Sequence, residues 1–193
     1  MLGGMSDRQC EGPGCQTSMG LYREGARFCS SACRQRAYRV RRKRPALGVP
    51  EVMASRDRWV RWSLESRRGL LTKVPRTVAG GLASVSDPLT WSSLSAASAS
   101  AVGDGVGFVL GRGIGCWDFD HCIVDGELTE WARKEIAGIP DPVYVETSQS
   151  GEGVHVFVMA PEGPGRRIRD GRNIEFYSAG RYIAVTGRPL VAQ

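Results

Sequence analysis

The chain has 193 residues, of which 41% are hydrophobic and 24% charged, and its formal net charge is +6. These values are typical of a globular protein and exclude collagen, a coiled coil and wholesale disorder. No apolar run approaches the 18 residues of a membrane span, and the polar N-terminus lacks the apolar segment of a secretory signal. We therefore expect a cytoplasmic protein without a membrane partner, whose six cysteines are metal ligands or free thiols rather than disulfides.

The charge is unevenly distributed along the chain. Residues 1–76 contain 17 Lys and Arg against six Asp and Glu, whereas residues 77–193 contain nine against 14. A basic first part predicts binding of a polyanion such as nucleic acid, and an acidic second part predicts cation-dependent chemistry. A protein that merely carries a solubilising basic tail is the alternative.

Four cysteines near the N-terminus have the spacing of a metal site. Cys10 and Cys15 form one pair, and Cys29 and Cys33 form a second pair 13 residues further on. Four thiolates with this spacing predict one structural, tetrahedrally coordinated Zn²⁺. Because so short a segment buries little core, we expect the metal to supply its folding energy. Four unrelated cysteines are the alternative.

A basic run, RVRRKR at residues 39–44, follows the cysteines. Each phosphate that it neutralises adds to the salt dependence of nucleic-acid binding. We therefore predict a zinc module with a basic tail at residues 1–44. Pro45, Gly48 and Pro50 mark a linker at residues 45–57, and one catalytic domain follows at residues 58–193.

The main domain has the pattern of an α+β fold. Residues 59–64 and 70–75 predict a hairpin, and Asp87 with Pro88 predicts the start of a helix that carries Trp91, Leu94 and Ala97 on one face. Further strands are predicted at 106–110 and 114–119, a helix around residues 128–136, and a hairpin at 143–147 and 154–159. Strands at 174–177 and 182–186 are expected to close the sheet.

Two acids end the apolar strand at 114–119. Asp118 and Asp120 are two residues apart, so in a strand their side chains share one face. Two carboxylates placed this way repel each other unless a cation lies between them, which predicts a site for Mg²⁺ or Mn²⁺. A zinc site formed by Cys116, His121 and Cys122 is a weaker alternative for this segment.

Two later segments add polar groups to the predicted sheet. The turn SGEG at residues 150–153 is typical of loops that present backbone N–H groups to phosphate, and His155 follows it on the outgoing strand. Glu175 alternates with the apolar Ile174 and Phe176 in the strand predicted at 174–177. The carboxylates of Asp118, Asp120 and Glu175 can therefore meet in the folded protein. A structural histidine and an exposed glutamate are the alternatives.

The motifs DFD at 118–120, SGEGVHVF at 150–157 and IEFYSAGRYIAVTG at 174–187 occur in this order. They resemble the three motifs of the archaeo-eukaryotic primase superfamily, and most closely the primase–polymerase domains of phages and plasmids. Upstream segments agree with the resemblance, which covers residues 57–189: WVRW, KVP, ASVSDPLTW and GVGFVL.

The resemblance implies a DNA primase/polymerase, a template-directed nucleotidyltransferase of phage or plasmid replication. It implies that Asp118, Asp120 and Glu175 bind two Mg²⁺ or Mn²⁺ ions and that His155 contacts the phosphates of the incoming nucleotide. It also implies an α+β core with an RNA-recognition-like mixed or antiparallel sheet and flanking helices. Further candidate phosphate contacts are Ser150, Gly151, Gly153, Lys73, Arg112 and Arg181.

We expect the zinc module and the basic run to hold a single-stranded DNA template. The chain ends soon after the third motif and has no Walker A sequence, so a helicase or primase C-terminal partner chain is a further expectation. Two other function classes stay open: a non-catalytic, zinc-containing DNA-binding accessory factor, and a metal-dependent nuclease. A glycosyltransferase leaves the cysteines and the glycine–histidine turn unexplained.

Overall fold

The computed structural model divides the chain into two units, residues 1–46 and 47–193. It describes residues 8–23, 25–42, 47–67 and 69–190. The side chains of residues 37–42 lie outside the description, and so do residues 43–46. The predicted role of the basic run at 39–44 therefore stays a prediction.

In the described part of the first unit there is one helix, α1 at Ser31–Arg42. Ser30 caps this helix, because its hydroxyl accepts a hydrogen bond from the Cys33 backbone N–H at 3.2 Å. Met19, 1% exposed, packs with Cys10 and Cys33 in a small core. Cys33 therefore lies in the first turn of α1.

Among its described residues, the second unit contains three short α-helices and eleven strands. The helices are α2 (Glu51–Ala54), α3 (Leu94–Ala99) and α4 (Glu130–Ala137). The first six strands are β1 (Trp59–Arg67), β2 (Leu70–Arg76), β3 (Gly105–Val109), β4 (Ile114–Asp120), β5 (Ile123–Val124) and β6 (Glu127–Leu128). The others are β7 (Tyr144–Thr147), β8 (Val154–Met159), β9 (Arg166–Ile168), β10 (Asn173–Tyr177) and β11 (Tyr182–Val185). None of the described helices is long and apolar enough to cross a membrane.

The strands form two larger sheets and one small hairpin. One sheet has the order β11-β3-β1-β2, the other has the order β7-β8-β4-β10-β9, and β5 pairs with β6. Within the described part of the chain, all these strand pairs are antiparallel. The α+β prediction is confirmed, whereas the specific likeness to RNA-recognition modules stays a prediction.

The two faces of the five-stranded sheet have different environments. On one face Phe119, Val156 and Ile174 pack in a cluster with Ala132 of α4. On the other face Phe157 belongs to a cluster with residues of the four-stranded sheet. The acidic residues of β4 therefore lie on the face that shares its core with the second sheet, because they alternate with Phe119.

The expectation that the last strands close a single sheet is wrong. β3 and β11 pair with each other in the four-stranded sheet, whereas β4 and β10 pair in the five-stranded sheet. The chain changes sheet at the turn between β3 and β4, where Arg58 donates hydrogen bonds to the carbonyls of Val109 and Leu110 at 2.7 and 2.6 Å. Local strand patterns predict extended segments but not their partners.

The prediction of one helix from Asp87 onward is also wrong, because the structure has two shorter helices in this segment. Asp87 does cap a helix, accepting from the Leu89 N–H at 3.0 Å, but this is a short 3₁₀ helix at Pro88–Thr90. Ser92 then exchanges two backbone hydrogen bonds with Trp59 of β1, at 3.0 and 2.8 Å. A new helix, α3, begins after Ser93, whose hydroxyl accepts from the Ala96 N–H. Pairing with β1 therefore interrupts the helical pattern.

Part of the segment predicted as a linker packs onto the core. Met53 of α2 is fully buried, and Leu47 and Val49 pack against the same cluster. The indole N–H of Trp59 donates to the Met53 carbonyl at 3.2 Å. The folded unit therefore includes residues ahead of position 58.

Candidate active site

Polar residues of four neighbouring strands form a row across the five-stranded sheet. Glu146 on β7 lies opposite His155 on β8, and His155 lies opposite Asp118 on β4. Asp118 lies opposite Glu175 on β10. Directly opposed residues of antiparallel strands share a face. The fold thus brings together the acids and the histidine that the sequence singled out, and it adds Glu146.

His155 lies between two carboxylates and is 5% exposed. Its Nδ1 is 3.0 Å from Glu146 Oε1, and its Nε2 is 3.7 Å from Asp118 Oδ1. The first distance is a hydrogen bond, and the second is a looser charge contact. The imidazole therefore connects the buried carboxylate of β7 to the acidic end of β4.

Asp118 carries an electrostatic penalty in this position. Burial raises the pKa of its carboxyl, and the charges of Asp120 and Glu175 raise it further, whereas His155 and Lys73 oppose the shift. A carboxylate that is buried beside other carboxylates gains most from a bound cation. The donor set at this end of the sheet therefore fits a divalent metal that prefers oxygen ligands.

Glu175 is held by basic and hydroxyl groups. It forms an ion pair with Arg169, its Oε1 is 3.5 Å from Arg167 Nε, and its Oε2 accepts from the Tyr177 hydroxyl at 2.8 Å. Burial works against ionisation of this carboxyl, but the hydrogen bonds and the arginine charges keep its pKa below the usual value. Glu175 is thus present as a carboxylate that already has partners.

Asp120 lies at the end of β4, opposite Asn173. The Asn173 side-chain amide donates to Asp120 Oδ2 at 3.2 Å. The three acids share a region of the sheet, but their oxygen atoms are less tightly gathered than the cysteine sulfurs. Across the residues that the structure describes, the four cysteines are the only set of three or more potential ligands within 4.8 Å of one another.

The turn before His155 is closed by its own hydrogen bonds. The backbone N–H groups of Gly151 and Gly153 donate to the carbonyl and hydroxyl of Ser148, at 3.2 and 3.1 Å, and the Glu152 N–H donates to the Ser150 hydroxyl at 3.2 Å. A phosphate at this turn has to compete with these internal acceptors. An open cleft of about 440 Å³ adjoins the turn at Ser150 and Gly151.

The basic residues that the sequence offered as phosphate contacts, Lys73, Arg112 and Arg181, have different surroundings. Lys73 is close enough for its charge to lower the pKa of Asp118. Arg181 stacks over the Tyr177 ring, with 4.4 Å between guanidinium and centroid, and donates to its hydroxyl at 3.2 Å. Arg112 precedes β4, the strand that has the acids at its far end, and its backbone N–H donates to Glu162. The fold does not bring Arg112 to the acids.

The four N-terminal cysteines form a compact cluster in the first unit. The sulfur of Cys29 is 3.6 Å from that of Cys15 and 3.5 Å from that of Cys33. Tetrahedral Zn²⁺ with bonds of about 2.3 Å requires sulfurs about 3.8 Å apart, so the cluster fits zinc. The sulfur of Cys10 accepts from the backbone N–H groups of Gly12 and Cys29 at 3.4 and 3.3 Å.

The ionisation of the cysteines varies within the cluster. A hydrogen bond with the Thr17 hydroxyl is the main cause that lowers the pKa of Cys15 to about 6. For Cys33, the Ser30 hydroxyl favours the thiolate, but the neighbouring thiols Cys29 and Cys15 outweigh it and raise the pKa to about 11. Because the sulfurs lie close together, ionisation of one thiol disfavours ionisation of its neighbours.

The alternative zinc set at residues 116–122 does not assemble. Cys116 and Cys122 are fully buried, whereas the His121 side chain is 78% exposed and lies 3.3 Å from Glu152. Burial raises the pKa of both cysteines, that of Cys122 to about 11. Neutral buried thiols are packing groups rather than metal ligands.

Comparison of the sequence with known proteins places the chain in a family. No protein-family model matches the chain. Over 141 residues, 67% of its length, the chain is 35% identical to a protein named DNA primase-polymerase from Nitratiruptor phage NrS-1. The chain contains a phage-type primase–polymerase domain. It spans 19% of the length of this relative.

The sequence analysis did not single out several polar residues of the candidate site. Glu146 occupies a buried position of β7, on the same face as Tyr144, and a glutamate within a predicted strand was a signal that the sequence offered. Tyr177 lies two residues beyond Glu175 in β10, so strand alternation puts both on one face and was a local signal for this contact. Arg167 lies opposite Glu175 in the pairing of β9 with β10, and Arg169 follows β9, so only the tertiary structure shows the contacts of these two arginines.

Proposed function

We propose that this primase–polymerase domain is a DNA-directed nucleotidyltransferase that acts in phage or plasmid DNA replication, in the cytoplasm of the host. The observation that carries the proposal is the row His155, Asp118 and Glu175 across one sheet. A DNA primase-polymerase name on a relative that is 35% identical supports it.

The acids Asp118, Asp120 and Glu175 are proposed to bind Mg²⁺ or Mn²⁺. They fit because the pKa of Asp118 is raised by burial and by its acidic neighbours, a cost that a cation offsets. When bound, such ions activate an attacking hydroxyl and neutralise the charge of the triphosphate and its leaving group. Two ions are expected, as in other enzymes of this reaction class.

The chain's own residues are proposed to position the nucleotide. His155 projects Nε2 toward the acids, where it contacts the phosphates. Lys73 and Arg181 add positive charge at the same region, and the turn at Ser150, Gly151 and Gly153 borders it. Catalysis then depends on positioning and charge compensation, which dominate phosphoryl transfer.

The first unit is proposed to bind one structural Zn²⁺ through Cys10, Cys15, Cys29 and Cys33. With the basic run, it is proposed to hold single-stranded DNA as the template. The positive charge of residues 1–76 supports this role, since cationic side chains that release counterions from phosphates dominate non-specific affinity. A helicase partner is not included in the proposal.

The test is a nucleotide incorporation assay with the full chain. The protein is incubated with a primed and an unprimed single-stranded template, labelled ribo- or deoxynucleotides, and Mg²⁺ or Mn²⁺. Longer products support the polymerase. Shorter products indicate a nuclease. A mobility shift of the template without any change in product length indicates an accessory factor. Each of these two outcomes contradicts the proposal.

Two variants locate the active site in the same assay. Asp118→Ala and Asp120→Ala are each expected to reduce incorporation about 100- to 1,000-fold, as loss of a charge-stabilising group does. Asp141→Asn is the control, because Asp141 is exposed in a turn with a left-handed φ of 42° that asparagine also tolerates. Parental activity in the Asp118→Ala and Asp120→Ala double variant would place the catalytic centre elsewhere.

A further inference from the structure

Glu146 is a fully buried carboxylate that the proposed reaction does not use directly. It accepts hydrogen bonds from the backbone N–H groups of Thr186 and Gly187, at 3.0 and 2.9 Å. The Thr186 hydroxyl is 2.9 Å from its Oε2, and His155 Nδ1 is 3.0 Å from its Oε1. A buried carboxylate thus joins β7, β8 and the segment after β11.

The donors around Glu146 fix the proton on the imidazole. Two of its partners are backbone N–H groups, which can only donate. A carboxylate surrounded in this way acts as an acceptor, so the proton of the contact with His155 belongs to Nδ1. The ring edge that carries Nε2 is then the one left to face Asp118, 3.7 Å away.

Burial and the contact with Glu146 favour one orientation of the His155 imidazole. His155 is 5% exposed, and its ring meets that of Phe157 edge-on with 6.3 Å between centroids. Rotation of the imidazole by half a turn would place the ring carbon Cδ2, instead of Nδ1–H, against the Glu146 carboxylate. That exchange would leave a buried carboxylate without one of its donors, which is costly in a low-dielectric interior.

We propose that Glu146 is a positioning residue that holds Nδ1–H of His155 and so directs Nε2 to the phosphates of the incoming nucleotide. This role rests on the proposed function. The hydrogen bond from Nδ1 to the buried carboxylate holds the ring so that Nε2 faces the Asp118 end of the row, where the phosphates are proposed to bind. The arrangement is that of a carboxylate that orients a histidine acting on a substrate.

A purely structural role for Glu146 is the competing explanation, because the same carboxylate ties the chain after β11 to β7. Thr186→Val separates the two roles. It removes the hydroxyl from the same buried cluster but keeps both backbone N–H donors and the contact with His155. A structural role predicts similar losses in both variants, whereas a positioning role predicts a kinetic effect only at Glu146.

The experiment compares the full-length parent, Glu146→Gln and Thr186→Val in three measurements. These are thermal melting, the KM and kcat for nucleotide incorporation, and ¹⁵N NMR of protein labelled in histidine. The chain has two histidines, and His121, exposed at 78% of its side chain, provides an internal reference. Protonated and bare ring nitrogens give well-separated signals.

We expect the parent to show a proton on Nδ1 of His155. In Glu146→Gln the amide oxygen stays with the donors of Thr186 and Gly187, so its NH₂ group faces Nδ1 and the ring loses that proton. The nucleotide KM is expected to rise about tenfold, the value of one charged hydrogen bond, with unchanged template affinity. Thr186→Val is expected to melt at a lower temperature but to keep the Nδ1 proton and a KM within about twofold of the parent.

A parent ring without a proton on Nδ1 overturns the proposal, and this result does not require the variant to fold. Equal KM changes in Glu146→Gln and Thr186→Val also overturn it and leave Glu146 as a structural residue. A parent that incorporates no nucleotide contradicts the proposed function instead, and in that case the Nδ1 proton alone decides whether Glu146 orients His155.

Discussion

Asp118 is a proposed metal ligand whose carboxylate lowers the stability of the metal-free fold. Because its pKa is raised by burial and by Asp120 and Glu175, ionisation costs more in the folded state than in the unfolded state. The penalty is absent below the unfolded pKa of about 3.9, develops as pH rises through the folded pKa, and persists at neutral pH. The metal-free protein therefore loses stability through this group as pH rises.

Asp118→Asn is expected to remove that penalty. Metal-free variant and parent should melt at the same temperature near pH 3, and at pH 7 the variant should melt about 2–4 °C higher, which corresponds to roughly 1 kcal/mol. Thermal melts at both pH values with a chelator present measure the difference, and Asp141→Asn serves as the control. A variant that melts below the parent at pH 7 would mean that the contacts with His155 and Lys73 outweigh burial.

At the scale of structural elements, the cysteine cluster depends on one glycine as well as on its ligands. A Cβ added at Gly12 would lie 2.8 Å from Cys33 Cβ and 3.0 Å from its sulfur. The turn between Cys10 and Cys15 can therefore approach α1 only without a side chain at this position.

We expect the purified chain to contain about one zinc per molecule and to lose it in Cys33→Ser, with reduced zinc content in Gly12→Ala. Because metal binding supplies the folding energy of so small a unit, zinc loss should unfold this unit. Metal analysis and protease sensitivity of the first unit measure both effects. Cys122→Ser is the matched control, and zinc loss in that variant would contradict the assignment of the ligands.

The turn before β8 also requires a glycine. A Cβ at Gly153 would lie 2.6 Å from the Phe119 carbonyl oxygen, whereas nothing lies within 4 Å of the same position at Gly163. Gly153→Ala is expected to lower the melting temperature by about 5 °C or more, since backbone must shift. Gly163→Ala should change it by less than about 2 °C. Similar melting temperatures for the two variants would show that the backbone at the end of the β4–β8 pairing can shift with little loss of stability.

At the scale of the whole molecule, the two units permit a test of where DNA binds. Removal of residues 1–46 leaves the unit that holds both larger sheets and the acidic site. The shortened protein is expected to unfold cooperatively, to bind single-stranded template more weakly and to show a shallower dependence of affinity on salt, because it lacks most of the excess positive charge. Binding titrations at several salt concentrations measure the slope. An unchanged slope would assign the phosphate contacts to the second unit.

Features that depend on local geometry could be predicted from the sequence. The spacing of Cys10, Cys15, Cys29 and Cys33 predicted the cluster that the structure shows. The period of two along a strand put Asp118 and Asp120 on one face, and the motif order identified the family. The hairpin of β1 and β2 and that of β7 and β8 followed from apolar runs separated by turn residues.

The pairing of the strands and the meeting of the polar groups could not be predicted locally, because both depend on the folded domain. The division into two sheets depends on hydrogen bonds between strands that are distant in sequence, for example β3 with β11. The end of the helix predicted from Asp87 depends on pairing between Ser92 and Trp59. Glu146 joined the site because register aligns it with His155. A local pattern specifies that a segment is extended and which face is apolar, but its partners are set by packing across the whole domain.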